Sequence, residues 1–414
     1  MAPTLAILTI GDELLNGDIA DTNTPAMARL LGDHGYRIAE RLSVGDNEAA
    51  IAAALQTLAG RHRVVLVSGG LGPTSDDRTA RGAARAFDRR LVLHPGALTQ
   101  VRAHFAERRT HMHPRDEKQA LLPQQALLLP NRRGSAPGFL LREWGNSVYF
   151  LPGVPAEMLA MLEEAVLPLL EADLPETTPQ RQRILKLFGL SEPRCEELLA
   201  GVALPPGVEV AFAVDFPEVH LKLHAAGDEA ERLLDRAEVA ARRACDEYLV
   251  AVGEETLVGN VARLLTNAGR TLALAESCTG GLIAKLLTDL PGASVFFERG
   301  AVTYANSAKQ DWLGVPAEVL TGPGAVSAEC ARTMAEGVRR AADSDLALAV
   351  TGIAGPDGGS AVKPVGTVFI ALADRRQTVA KGYRFPGDRH EVRTLTAFTA
   401  LAWLRQYLVA GDGT

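Results

Sequence analysis

The chain has 414 residues, of which 47% are hydrophobic and 22% charged, and it carries a formal net charge of -7. That balance excludes a disordered chain, and its acidic sign speaks against a protein that coats nucleic acid or lies on an anionic membrane. The length exceeds what a single core usually holds, so two or three domains are expected in an ordinary globular protein.

The opening MAPTLAILTIGDELL has no basic leader and meets Asp12 and Glu13 too early for a signal peptide. No apolar run approaches membrane-spanning length, so a cytoplasmic protein is expected. Short apolar runs then alternate with amphipathic segments. Leu5 to Ile10, Tyr36 to Leu42 and Val64 to Ser68 read as strands, with helices over Pro25 to Leu31 and Glu48 to Leu58. This βαβαβ order predicts a doubly wound parallel sheet, whose ligands sit at the carboxyl ends of the strands. Two loops fall there, GDELLNGD and SGGLGPTSDD. Gly69, Gly70 and Gly72 let the backbone approach a phosphate closely. Asp12, Glu13, Asp76 and Asp77 are the oxygen donors that a hard divalent cation holding a diphosphate would need. Taken singly, each acid is as well explained as a cap: Asp77 for a helix Arg78 to Phe87, Asp12 for a turn. Asn23 and Thr24 before Pro25 read as a helix start. A further strand, Ser147 to Leu151, feeds a helix Ala156 to Leu170. The first domain, residues 1–172, closes at the Pro-rich, acidic stretch Glu171 to Pro179.

Residues 180–250 change pattern. A strand from Arg183, a helix Glu192 to Ala200, strands Val208 to Val214 and Val219 to His224, and a long helix from Glu229 give a small βαββα module. The order is KH-like, but no GXXG clamp lies between its elements. It reads as a connector or dimerisation arm.

The third unit, residues 254–414, again alternates helices and strands, giving a three-layer α/β domain. After the apolar run Thr271 to Leu274 comes AESCTGG, and Leu282 to Leu287 then has helical spacing. Ser277, Cys278 and Thr279, followed by Gly280 and Gly281, are therefore expected at a helix start. There the unpaired N–H groups favour an oxyanion, a phosphate or an activated nucleophile. A capping hydroxyl with a glycine turn is the alternative. Cys195, Cys245, Cys278 and Cys330 form no C-x-x-C pair, which points to reduced thiols rather than a disulfide framework or zinc site.

GDELLNGD, DTNT, SGGLGPTSDDRT, NRRGSAPGF (131–139) and LPGVPAEM (151–158) resemble the N-terminal domain of the CinA family, the competence/damage-inducible proteins, which is similar to molybdopterin-binding folds. AESCTGG, GAVTYANSAK, AVTGIAGPDGG, KPVGTV and FPGDRHEVR resemble the family's C-terminal domain. The resemblance runs over nearly the whole chain in the family's order. It implies a bifunctional enzyme of pyridine-nucleotide salvage. The C-terminal amidohydrolase would convert nicotinamide mononucleotide to nicotinate mononucleotide and ammonia without a cofactor. The N-terminal ADP-ribose pyrophosphatase would depend on magnesium or a similar divalent ion. It also implies a homodimer. A molybdopterin-binding first domain remains a second reading, and an interaction protein of DNA uptake a third, although the acidic balance disfavours direct DNA binding.

Amide hydrolysis asks for a nucleophile, a proton carrier and oxyanion donors. Ser277 is the candidate nucleophile, and Cys278 its rival if the helix start lowers its pKa. The base is Lys309, in the family-like TYANSAK, or His390, the sole histidine after residue 253. This chain strongly prefers arginine, with only seven lysines among 43 basic residues, so a lysine kept at 309 is suggestive. Tyr304 is a proton relay or a wet strand aromatic. The glycine-rich loop after the strand Leu346 to Val350 brings Thr351, Gly352 and Gly355 to the substrate. Arg389 and Arg393, leaning on the family motif, suit a phosphate, and Lys363 is assigned to the same pocket.

Overall fold

A computed structural model describes residues 4–174, 177–178 and 180–411. Met1 to Pro3 of the opening stretch and Pro175, Glu176 and Pro179 of the acidic one lie outside the described residues. The chain divides into two compact units, Met1–Arg181 with Ala226–Ala230 and Gln182–Ala225 with Glu231–Thr414.

The first unit is built on a six-stranded sheet in the order Arg37–Val44, Thr4–Ile10, Val64–Ser68, Asn146–Leu151, Gly138–Glu143, Leu127–Leu129. The first four strands run parallel, which realises the doubly wound arrangement. The last two are antiparallel additions that the alternating pattern does not reveal. Strand side chains alternate between faces, so both faces must be apolar. Ala6, Leu8 and Ile10 pack with Ile51 and Leu55 of the helix Glu48–Ala59, while Leu5 and Ile7 pack with Met27, Leu31 and Met158 on the other side. The helix expected over Ala156 to Leu170 runs as Pro155–Met161, a π-helical turn Leu162–Val166, and Leu167–Asp173. Pro168 lacks an N–H for the regular ladder, which accounts for the irregular turn before it.

In the second unit, the KH-like module carries one strand more than the βαββα reading. Leu249–Val252 pairs antiparallel with Leu185 to Leu187 and closes a four-stranded sheet in the order Glu209–Asp215, Glu218–Ala226, Gln180–Phe188, Leu249–Val252. The module is thus βαββαβ. The remaining sheet has the order Phe297–Val302, Leu272–Glu276, Leu346–Gly352, Thr367–Ala373, Thr378–Arg384, the first three parallel and the last two antiparallel. Its two faces differ in side-chain size. Leu272, Leu274, Leu348 and Val350 meet the helices Leu257–Asn267 and Arg389–Ala410. Ala273, Ala275, Ala347, Ala349 and Ala371 form a flat bed for the helix Ala328–Ala342. Both faces are covered, making three layers, and Leu272–Glu276 is buried throughout as a central parallel strand should be. Among the described residues no helix is long and apolar enough to cross a membrane.

Candidate active site

Leu272–Glu276 ends against two neighbours that aim the residues after it. The Ser277 N–H donates to Val350 O at 3.0 Å, and the Thr303 N–H donates to Glu276 O at 2.8 Å. One strand neighbour thus sets Ser277, and the other sets the loop leading to the helix Asn306–Leu313, which carries Lys309. The result is a contact of 3.1 Å between Lys309 Nζ and Ser277 Oγ. Lys309 Nζ also donates to Thr303 O at 2.7 Å and Tyr304 O at 3.2 Å. The lysine is 1% exposed and the serine 8%, with no carboxylate bonded to the amine among the described residues. Burial pulls the Lys309 pKa below its ordinary 10.5, against smaller opposing effects of Cys330 and Cys278. A neutral amine keeps two N–H donors, which the two carbonyls use. Its lone pair then falls to the third neighbour, the Ser277 hydroxyl. His390 lines a neighbouring cavity and makes no hydrogen bond to Ser277.

The helix begins at Leu282, where the apolar spacing begins, but Ser277, Cys278 and Thr279 do not stand at its start. Ser277 to Gly281 form a turn ahead of a helix that begins at Leu282, and Gly280 (φ 61°) and Gly281 (φ 91°) adopt the left-handed backbone that makes this delay possible. The N–H groups at the helix entry are already taken. The Glu276 carboxylate, 2% exposed, accepts from Gly281 N at 3.0 Å, Ile283 N at 3.1 Å and Ala284 N at 2.8 Å. Glu276 therefore occupies the position that sequence reasoning reserves for an oxyanion or phosphate. A strand-end acid shows this capping role only once the glycine turn folds back. Cys278 also departs from expectation: burial pushes its thiol up to about 12 rather than down, and Glu276 adds to the rise. Thr279 is fully buried, its hydroxyl without a hydrogen-bond partner among the described residues.

Arg393 donates to Thr279 O through Nε (3.1 Å) and Nη2 (2.7 Å), clamping the turn. Arg389 donates to Gly355 O at 2.7 Å and to the Tyr304 hydroxyl at 2.8 Å, tying the glycine-rich loop to an aromatic that is 59% exposed. The helix N-terminus that carries both arginines is closed by a capping box between Asp388 and Glu391. A cavity of about 670 Å³ opens beside Gly355, Arg389, His390 and Arg393. Thr351 and Gly352 end their strand, with the Thr351 hydroxyl donating to Ala325 O rather than to Ser277. Lys363 Nζ donates to Pro323 O at 2.6 Å.

The first unit has its own cavity, about 430 Å³, at the carboxyl ends of its parallel strands. Gly69, Gly70 and Gly72 line it. At Gly69 (φ 112°) a side chain would strike the carbonyl of Ile10, so only glycine brings the chain this close. The four acids do not converge. Glu13 and Asp77 line the cavity, and Asp12 and Asp76 do not. Asp12 instead exchanges hydrogen bonds with Asp46 (2.9 and 3.2 Å), whose pKa is raised mainly by burial and then by Asp12, Glu13 and Asp76. Asp77 does not cap the following helix, which runs Thr79–Ala86; its carboxylate accepts from Thr74 N at 2.8 Å and Thr74 Oγ1 at 2.6 Å. Among the described residues no group of three or more His, Cys, Asp or Glu is placed to hold a metal ion. Two groups missed from sequence shape this cavity. Lys118 pins the glycine loop through the carbonyls of Thr74 and Asp77, and its rarity as a lysine was the available signal. Asn23 Nδ2 joins Ser68 Oγ (2.9 Å) to Gly153 O (2.8 Å) across the strand ends.

Comparison with known proteins gives two separate matches along the chain. The family profile described as CinA C-terminal domain matches residues 254–408, and that described as Probable molybdopterin binding domain matches residues 6–172. The chain is 57% identical over 408 residues to the CinA-like protein of Syntrophotalea carbinolica, covering 99% of each. It is 51% identical over 411 residues to that of Geobacter sulfurreducens, covering 98% of this chain and 99% of the other. The crystal structure of the competence/damage inducible protein CihA from Agrobacterium tumefaciens is 45% identical, covers 35% of this chain and 94% of its own, and has a TM-score of 0.34.

Proposed function

This chain belongs to the CinA family, and from that premise we propose that it is a two-site hydrolase of cytoplasmic pyridine-nucleotide salvage. The second unit deamidates nicotinamide mononucleotide. What carries the reading is the buried lysine nitrogen 3.1 Å from a serine hydroxyl, with its remaining partners both carbonyls. In the first step Ser277 Oγ passes its proton to Lys309 Nζ and forms a bond to the carboxamide carbon. The backbone N–H groups of Cys278 and Thr279, which no backbone carbonyl takes up among the described residues, would serve as donors for the oxyanion. As the tetrahedral adduct collapses, the C–N bond breaks and Lys309 returns the proton to the leaving nitrogen, releasing ammonia and an acyl-serine. A water then gives a proton to Lys309 and attacks the acyl carbon. Ser277 leaves with that proton, and nicotinate mononucleotide is freed. Arg393, bonded to the Thr279 carbonyl of the same turn, and Arg389 would hold the phosphate in the cavity they line with His390.

For the first unit the proposed reaction is hydrolysis of ADP-ribose to AMP and ribose 5-phosphate. The donor set supports a divalent ion only as one shared with the substrate. Glu13 and Asp77 would supply one or two carboxylates, with phosphate oxygens and water completing the shell, a common arrangement for magnesium. Such an ion would withdraw charge from the diphosphate, while the glycine loop contributes backbone N–H groups close to it. A pterin-binding first unit is the competing reading, favoured by the description of the profile that matches residues 6–172. The test gives the purified chain each nucleotide separately and measures ammonia, nicotinate mononucleotide and AMP. Ammonia and nicotinate mononucleotide in equal amounts from the first, and AMP from the second, are expected. Tight pterin binding without AMP would select the competing reading, and a failure to release ammonia would reject the amidase.

A further inference from the structure

Within the second unit, a cavity of about 590 Å³ shares none of its lining with the Ser277 turn. Its size is that of a small-molecule site, and its walls are aromatic. Tyr383 and Phe385 stack in parallel (8° between planes, centroids 5.6 Å apart), and Trp403 and Tyr248 add further ring surface. Two cations border that apolar wall, Lys381 exposed and Arg405 half-buried, the latter also facing a second cavity with Glu255. Lys381 Nζ lies 4.5 Å from the Trp403 ring centroid and makes no ion pair among the described residues. Arg405 likewise makes none, and its Nε is buried with no hydrogen-bond partner. Burial pulls its pKa down, an effect that Asp246 and Glu255 partly offset. The single carboxylate in the lining, Glu247, is exposed. A buried guanidinium nitrogen without an acceptor is costly unless one arrives.

We propose that this cavity is a binding site for a planar aromatic anion, whose ring lies against Tyr383, Phe385 and Trp403 and whose acidic group is taken by Lys381 and Arg405. Each part of such a ligand answers a feature already present. The ring completes the stack, and the anion supplies the ion-pair partner that neither cation has among the described residues. Leu395, Thr399 and Trp403 of the cavity sit on the same helix, Arg389–Ala410, that begins with Arg389 and Arg393. A ligand here would therefore rest on the element that also clamps the Ser277 turn.

The experiment is calorimetric titration of the full-length chain with 1-naphthalenesulfonate, set against neutral 1-naphthalenemethanol and ringless methanesulfonate. The expected result is one naphthalenesulfonate per chain, with both controls at least about tenfold weaker. The K381Q/R405Q variant should weaken the sulfonate by about tenfold or more while leaving the alcohol unchanged, with a native circular-dichroism spectrum. Equal binding of the alcohol would reduce the cavity to an apolar crevice and overturn the proposal. Equal binding of methanesulfonate, unaltered sulfonate binding in a folded K381Q/R405Q chain, or no sulfonate binding would overturn it too. So would a self-association that excludes the probe and is dissolved by Lys381→Glu, since the occupant would then be a second copy.

Discussion

In the second unit the strand Leu272–Glu276 ends on a serine held 3.1 Å from a buried lysine, whereas in the first unit Val64–Ser68 ends on glycines and on carboxylates that bond to their own loop. Both sites occupy the carboxyl ends of parallel strands. In the second, the serine and the lysine are desolvated and already oriented, so that under the proposed reaction the chemistry is stored in the protein before a ligand binds. In the first, the protein offers backbone and solvated charge, and the ligand must bring phosphates to complete the arrangement. Side-chain substitutions should therefore strike the second site harder than the first, and removal of ions should do the reverse.

Ser277→Ala tests the stored chemistry most directly. Ammonia release from nicotinamide mononucleotide should fall by on the order of 10⁴-fold, since both the nucleophile and the acyl intermediate are lost. ADP-ribose hydrolysis by the same preparation should not change. Retained ammonia release would leave Ser277 as a structural hydroxyl. Lys309→Met should cost on the order of 10³-fold. In the wild type, kcat/KM should rise with pH and level off below 10.5, because only the unprotonated amine accepts the serine proton and burial lowers its pKa. Stability carries the same sign. The unfolded chain protonates Lys309 more readily than the native one, so the stability of the wild type relative to Lys309→Met should increase as pH rises from the lowered pKa towards 10.5. Urea titrations of both chains at several pH values measure this, and a flat difference would deny the depressed lysine.

Asp77→Asn should be milder. One of the two acids proposed to hold the ion loses its charge but keeps its shape and its bonds to Thr74, so AMP formation should fall by about 100-fold while ammonia release persists. Excess chelator should reproduce the loss in the wild type. If hydrolysis continues undiminished in chelator, the carboxylates have no ion to hold.

How much of this contrast was legible in the sequence depends on distance along the chain. Val64 to Ser68 was readable to the residue, because five consecutive buried side chains leave a continuous apolar run. Lys309 was reached through the family-like TYANSAK, its rarity being only suggestive, because nothing in the local pattern marks a lysine that the fold buries. Leu249–Val252 was not, since four residues become a strand only by pairing with Leu185 to Leu187 far upstream. The helix from Leu282 was readable from its spacing, but Ser277 to Thr279 were wrongly set at its start, because the turn that two left-handed glycines insert leaves no mark on the apolar pattern. The carboxylates of the first unit were over-read. Proximity in sequence put Asp12 beside Glu13 and Asp76 beside Asp77, but loop bonding turned Asp12 towards Asp46 and Asp77 towards Thr74.

Glu276→Gln asks whether the orientation of the turn depends on the buried cap. The amide keeps one acceptor oxygen where the carboxylate uses two, so at least one of the three N–H bonds from Gly281, Ile283 and Ala284 is lost or weakened. A stability loss of about 1–2 kcal/mol is expected. Ammonia release should drop by about tenfold through kcat, because the residue acts on the position of Ser277 and not on the substrate. A change confined to KM would place Glu276 against the ligand instead.

The smallest effect should come from Cys278, the residue beside the nucleophile with the greater intrinsic reactivity. At neutral pH a thiol pushed up to about 12 is almost wholly protonated, and only 5% of its surface reaches solvent. Its side chain packs in the cluster with Leu272, Leu274 and Ile283. Cys278→Ala should therefore cost about 1 kcal/mol of stability and change ammonia release by no more than about twofold. The wild type should resist iodoacetamide at this position for as long as it stays folded. A loss of turnover matching that of Ser277→Ala, or rapid alkylation that stops ammonia release, would move the nucleophile one residue along the turn, where the lysine nitrogen 3.1 Å from Ser277 Oγ would have to be explained anew.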